Sequence, residues 1–202
     1  LHFNPVVLND VFSSEDVQYL RQLLNSKSYA KNWLDPNNDR RVLKFTELDS
    51  YFSKKIEPIV QEIFGSTRIK STYAVYLDYD RPTSKLPAHL DNNACTYTVD
   101  YCVSAKTPWG VVVEGEEFVF GPNQALVFTG GHDYHWRNDM PDPENNRVEV
   151  IMFHFCLDDH WYFTHGQEYM YDLMDNGLLP EGDSYHLSPA VLGRNPVDSS
   201  HG

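Results

Sequence analysis

Apolar positions recur at helical spacing along the first third of the chain and at strand spacing along the middle. Val17, Leu20, Leu23 and Leu24 fall on one face of a helix that Ser13 or Ser14 can cap and that runs to about Ser26. Leu48, Phe52, Ile56, Ile59 and Ile63 form a second stripe between about Thr46 and Phe64. Pro58 predicts a kink in it, because proline lacks the backbone donor that a helix interior needs. From Ile69 the texture changes to short runs rich in Tyr and Val. These are Tyr73–Tyr79, Cys95–Val103 with alternation at Tyr97, Val99 and Tyr101, then Val111–Val113, Glu117–Phe120, Ala125–Thr129 and Arg147–Cys156. Polar, turn-rich linkers separate them: Asp80-Arg81-Pro82, Pro122-Asn123 and Asn138–Asn146. Evenly spaced strands without helices between them predict a mainly β chain with flanking helices. An antiparallel barrel or double-sheet jelly roll fits that order; a parallel α/β sheet does not. Gln167–Met174 reads as a further helix, and the chain from Leu178 as a wrapping or frayed tail. The expectation is one domain: a helical N-terminal part over 1–66, a β core over about 67–157, and a C-terminal helix and tail over 158–202.

Composition narrows the classes. In 202 residues, 41% are hydrophobic and 14% aromatic, enough for a substantial core, and no apolar run reaches membrane-spanning length. Sixteen basic against 29 acidic residues give a net charge of -13, which repels phosphate backbones and anionic bilayers. Neither a nucleic-acid nor a membrane partner is expected. Cys95, Cys102 and Cys156 form no CxxC pair and read as small buried hydrophobes. With no leader-like segment at the start, a cytoplasmic, reducing setting is the expectation. Oligomeric state is not legible.

The chemistry concentrates in Pro87-Ala88-His89-Leu90-Asp91. Residues i and i+2 of a strand face the same side, so the His89 imidazole and the Asp91 carboxylate can converge on one ion. A third ligand from a later strand completes a facial triad with open positions, the arrangement of non-haem iron(II) oxygenases. The run Ala125–Arg137 offers His132 and His135. His135 is preferred, because it lies beyond the Gly130-Gly131 turn between Tyr134 and Trp136, while His132 adjoins the glycines.

The order His89-x-Asp91, then His135, then Arg147 opening a β run resembles the 2-oxoglutarate/iron(II) dioxygenase superfamily, including its prolyl-hydroxylase-like branch. The resemblance covers about Tyr73 to Cys156 and, in outline, the two leading helices. It implies a double-stranded β-helix (a jelly-roll, cupin-like core), with Fe(II) on His89, Asp91 and His135. It also implies 2-oxoglutarate as co-substrate and O2 as oxidant, yielding succinate, carbon dioxide and a hydroxylated C–H bond of a small molecule, amino acid or peptide side chain. Related halogenases carry a small residue at the position of Asp91, so the carboxylate here implies hydroxylation or a variant such as desaturation. The far carboxylate of 2-oxoglutarate would fall to Arg147, whose planar fork suits bidentate recognition. The family often places an aromatic where Tyr79 stands, ten residues before His89. Tyr79, Tyr97 and Tyr101 are the candidates for a hydroxyl on that same carboxylate.

Alternative readings stand beside these. Arg137 rivals Arg147, or is a surface residue paired with Asp139 or Asp133; Arg147 itself can be a strand-edge partner of Glu149. His154 alternates to the face opposite Arg147 and reads as a core histidine. Asp158-Asp159-His160-Trp161 reads as a solvated helix start, and Trp109 and Trp136 as pocket walls or core. At the level of function, a cupin-like metal enzyme that does not use 2-oxoglutarate keeps the triad and makes Arg147 structural. A non-catalytic β-sandwich binding module makes the histidines incidental.

Overall fold

The structure is a computed structural model and describes residues 3–26 and 31–165. In chain order the elements are β1 (Val6–Leu8), α1 (Ser14–Ser26), β2 (Lys31–Asp35), β3 (Arg40–Lys44), a π-helical turn (Leu48–Phe52), α2 (Ser53–Phe64), β4 (Ile69–Tyr79) and β5 (Leu86–His89). A 3-10 turn (Asn93–Cys95) follows, then β6 (Tyr97–Ala105), β7 (Val111–Val113), β8 (Glu116–Phe118), β9 (Ala125–Phe128), β10 (His135–Arg137) and β11 (Val148–Leu157). The helices sit where the apolar stripes place them. Pro58 lies inside α2, and the irregular turn comes before it, at Leu48–Phe52. Gly65 ends α2 in the left-handed region at φ 66°, with the amides of Gly65 and Ser66 returning to the last turn. The helix read over Gln167–Met174 and the tail from Leu178 lie outside the described residues.

The strands form two antiparallel sheets, one of seven in the order β1-β9-β6-β11-β4-β3-β2 and one of four in the order β5-β10-β7-β8. This is the jelly-roll, double-stranded β-helix architecture expected from the strand pattern. The helical reading of 1–66 needs a correction, because β1, β2 and β3 in that stretch all join the large sheet. β1 has three residues, too few to show a period, and β3 reads Arg-Arg-Val-Leu-Lys, a polar run that hides its alternation.

The outer face of the large sheet packs on the helices. Val99 and Tyr101 from β6, and Ile151, Phe153 and Phe155 from β11, meet Leu20, Phe52, Ile56 and Val60 in one core. Leu77, Tyr79, Val148, Val150 and Met152 point the other way, between the sheets, as do Cys102, Leu126 and Phe128. Strand parity therefore separates a structural face from a face that lines an interior. No helix among the described residues is long and apolar enough to cross a membrane.

A polar clamp ties α1 to α2. Ser13 Oγ accepts from the Asp16 amide, capping the helix, and donates to Asp16 Oδ2. The same carboxylate accepts from Lys55 Nζ at 2.7 Å and Tyr51 Oη at 2.6 Å. Burial alone would raise the Asp16 carboxyl, but these donors more than offset it and hold it below 3.8. A depressed carboxyl contributes stability that is full above its unfolded value and is lost as pH falls through its folded value. Asp16→Asn is therefore expected to cost about 1–3 kcal/mol at neutral pH. Urea midpoints should show that deficit shrinking as the pH is taken below the ordinary carboxylate range.

Candidate metal centre

His89 ends β5 and His135 opens β10, and the antiparallel ladder sets the two directly opposite each other. Cross-strand partners hold their side chains close enough to share a ligand, and the two rings stand 4.2 Å apart between centroids. Asp91 lies two residues past the end of β5, held by its amide donating to Gly130 O at 2.8 Å. Its Oδ1 is 3.5 Å from His89 Nε2 and 3.7 Å from His135 Nε2, while Oδ2 accepts from Thr98 Oγ1 at 2.9 Å. One ligand atom from each of the three residues lies within 4.8 Å of the others.

Both imidazoles present a lone pair to that point. His89 Nδ1 is 2.8 Å from Pro87 O and His135 Nδ1 is 3.0 Å from Asp133 O. A carbonyl only accepts, so each Nδ1 carries the proton and each Nε2 is free to ligate. Burial, helped by the neighbouring His89, pushes the His135 pKa down to about 4, so the ring is neutral at physiological pH. Burial also opposes charge on Asp91, but the facing His135 and His89 outweigh it and hold the carboxyl below its ordinary range. His135 Nε2 is buried and has no hydrogen-bond partner among the described residues. A buried acceptor left unpaired is costly, and a divalent ion is the partner this donor set fits: two neutral imidazoles and one carboxylate.

The turn after β9 delivers His135. Thr129 O accepts from the amides of His132 and Asp133, and Thr129 Oγ1 bonds the buried Asp133 carboxylate. His132 sits on that turn, exposed and outside the triad. The sequence offered Asp133 only as a partner for Arg137; its role in bracing this turn was signalled by the Thr-x-x-x-Asp spacing across a Gly-Gly turn.

The other predicted residues divide by strand face. Tyr79 points inward and lines the cavity beside the triad. Tyr97 and Tyr101 do not, which corrects their assignment. On β6 the odd positions face the helices, so Tyr97 packs on Phe64 and Tyr101 is buried in the helix-facing core, its hydroxyl on Asn123. Arg147 is likewise not brought to the triad. It shares the outer face with Glu149 and forks Asp78 through Nε and Nη2, both at 2.8 Å, with its side chain 54% exposed. Arg137 is no surface residue: with 1% side-chain exposure it pairs with Asp100 at 2.7 Å and bonds Trp109 O. His154 is buried and lines the cavity, its Nδ1 on Tyr73 O at 3.2 Å. Trp109 packs edge-on against Tyr79, 5.2 Å between centroids. Asp158 and Asp159 pair with Arg68.

A cavity of about 360 Å³ opens beside His89 and Asp91, walled by Val75, Leu77 and Met152. Arg40 on β3, a residue the sequence reading passed over, also lines it. The available signal was the turn-rich Pro36-Asn37-Asn38-Asp39 between Trp33-Leu34 and Val42-Leu43, which marks a hairpin.

No protein-family model and no curated protein matches the sequence. Solved structures do match, and the fold they share with this chain is that of 2-oxoglutarate/iron(II) oxygenases. A prolyl-4-hydroxylase from Pseudomonas putida superposes with a TM-score of 0.59 at 10% identity, over 77% of this chain and 93% of that one. HygX from Streptomyces hygroscopicus, with nickel, 2-oxoglutarate and hygromycin B bound, gives 0.58 at 10% identity, over 77% and 83%. A prolyl hydroxylase from Trichoplax adhaerens, in complex with a hypoxia-inducible-factor peptide, gives 0.53 at 12% identity, over 81% and 87%. At such identities the likeness establishes the fold alone.

Proposed function

We propose that this chain is an Fe(II)- and 2-oxoglutarate-dependent oxygenase that holds iron through His89, Asp91 and His135 and hydroxylates a C–H bond. The observation that carries this is the buried Nε2 of His135, partnerless among the described residues, converging with His89 Nε2 and Asp91 Oδ1. Three ligands on one side of an ion leave positions for a chelating co-substrate and dioxygen. Iron(II) there supplies oxidation of an unactivated C–H bond, coupled to conversion of 2-oxoglutarate into succinate and carbon dioxide. The protein supplies the rest. Pro87 O and Asp133 O fix the two imidazole tautomers, and Thr98 Oγ1 orients the carboxylate.

The structural neighbours include one with hygromycin B bound and one in complex with a peptide fragment, so small-molecule and peptide substrates both suit this reading. The net charge of -13 favours a neutral or cationic substrate over an anionic one. Among the described residues Cys95, Cys102 and Cys156 form no disulfide and all three are buried, which suits a reducing compartment.

Anaerobic titration with Fe(II) or Mn(II) is expected to give one ion per chain, with His135→Ala weakening it about 100-fold or more. Iron-loaded protein should then release succinate from 2-oxoglutarate in air. Absence of stoichiometric metal uptake would favour a non-catalytic binding module. Metal uptake without succinate would favour an enzyme of the cupin kind that uses no 2-oxoglutarate.

A further inference from the structure

Among the described residues one arginine and no lysine line the cavity, and that arginine comes from a part of the chain far from the triad in sequence. Val42 pairs with Leu77 and Arg41 with Asp78, so the next step along the register sets Arg40 against Tyr79. Arg40 Nη1 donates to Tyr79 Oη at 2.5 Å, and Nε donates to Asp35 Oδ2 at 2.9 Å across the β2–β3 hairpin. Two of the five guanidinium N–H groups are thereby used, and Nη2 has no protein partner among the described residues. Because Tyr79 Oη accepts from Arg40, its own proton remains available to donate. Arg40 and Tyr79, each with a donor left over, line the same cavity as His89 and Asp91.

The two arginines that the sequence offered as anchors are committed elsewhere. Arg147 is on the outer face, its fork filled by Asp78. Arg137 spends Nη1 on Trp109 O and Nη2 on Asp100, and it does not line the cavity. At this end β11 offers the interior only Val148, Val150 and Met152. A dicarboxylate entering the cavity meets one guanidinium among the described residues.

We propose that Arg40, with Tyr79 as second donor, binds the far carboxylate of 2-oxoglutarate, in place of the strand-borne Arg147 that the sequence suggested. This rests on the co-substrate reading above and extends it: the anchor belongs to the N-terminal hairpin, and Asp35 positions it. A guanidinium with a pre-placed phenol gives a charge-assisted, directional grip on a carboxylate that a monoacid lacks.

The test is calorimetric binding to Mn(II)-loaded protein of 2-oxoglutarate and of 2-oxopentanoate, which has the same chain length and keto acid but no far carboxylate. The wild type should prefer 2-oxoglutarate. Arg40→Ala and Arg40→Gln should each weaken 2-oxoglutarate about 10- to 100-fold while leaving Mn(II) and 2-oxopentanoate binding within about twofold. Arg40→Lys should recover part of the loss, because it keeps the charge without the fork. Tyr79→Phe should show a smaller, selective loss, and Arg147→Ala none. Unchanged selectivity in both Arg40→Ala and Arg40→Gln, or a selective loss in Arg147→Ala, would overturn the assignment while leaving the oxygenase reading in place. Mn(II)-loaded wild type that binds neither acid would remove both.

Discussion

Gly130→Ala is expected to abolish metal uptake while leaving the chain folded. The Asp91 carboxylate lies against Gly130: a β-carbon at that position would fall well inside contact distance of Asp91 Oδ2 and Thr98 Oγ1. The Gly130 carbonyl meanwhile accepts the Asp91 amide, so the backbone at Asp91 cannot retreat without losing that bond. The added methyl must therefore push the carboxylate, or the Thr98 hydroxyl that orients it, away from the two imidazoles. Overpacking of this kind costs about 1–3 kcal/mol in stability, which a domain of this size can survive. Displacing a ligand oxygen should be far more damaging to the centre, on the order of 100-fold or more in affinity. The check pairs a Mn(II) titration with a thermal melt. Gly121→Ala is the control, since its β-carbon would meet only Gln124 Oε1, at 3.6 Å. Wild-type metal affinity in Gly130→Ala would mean that Asp91 is not held as described.

The second large effect concerns Asp100 and Arg137. Their side chains are each 1% exposed and bonded at 2.7 Å, between β6 and β10. Burial pushes the Asp100 carboxyl up even against the pull of Arg137, and among the described residues both Asp100 Oδ1 and Arg137 Nε are buried without hydrogen-bond partners. The pair is thus costly to bury and costlier to break. Asp100→Leu or Arg137→Met alone leaves one charge stranded in the interior and should destabilise by about 3–5 kcal/mol. Combining the two removes both charges and should recover most of that loss, a strongly non-additive cycle. Urea unfolding of the four proteins measures it directly, and additive losses would show that the pair does not act as a unit. Because Arg137 follows His135 by two residues, the same cycle shows whether metal affinity depends on this support.

Much of the fold was legible because it depends on local pattern. The stripe Val17, Leu20, Leu23 and Leu24 produces α1, and runs such as Tyr73–Tyr79 and Val111–Val113 produce strands close to where they were read. The strands that escaped are short or polar. β1 and β3 are of this kind; β5 and β10, four and three residues long, carry the two histidines and are also too short to show a period. The chemical signal in the residue types compensated, since histidine and aspartate at i and i+2 point to a metal whatever element holds them.

The face that each strand turns inward was a different matter. On β11 both parities are apolar: Ile151, Phe153 and Phe155 on one side, Val148, Val150 and Met152 on the other. Alternation then separates two faces without saying which one meets the helices. That choice, made by α1 and α2 packing on the odd face, sends Arg147 outward with Tyr97 and Tyr101, and leaves Tyr79 and His154 inside. It also gives the β2–β3 hairpin a place at the cavity, where Arg40 meets Tyr79. The donor types and the strands that carry them follow from the order of amino acids, because ligand chemistry and backbone periodicity are local. Which arginine shares a cavity with those donors was decided only when the sheets closed on each other, because side-chain direction becomes meaningful once a layer has covered one face.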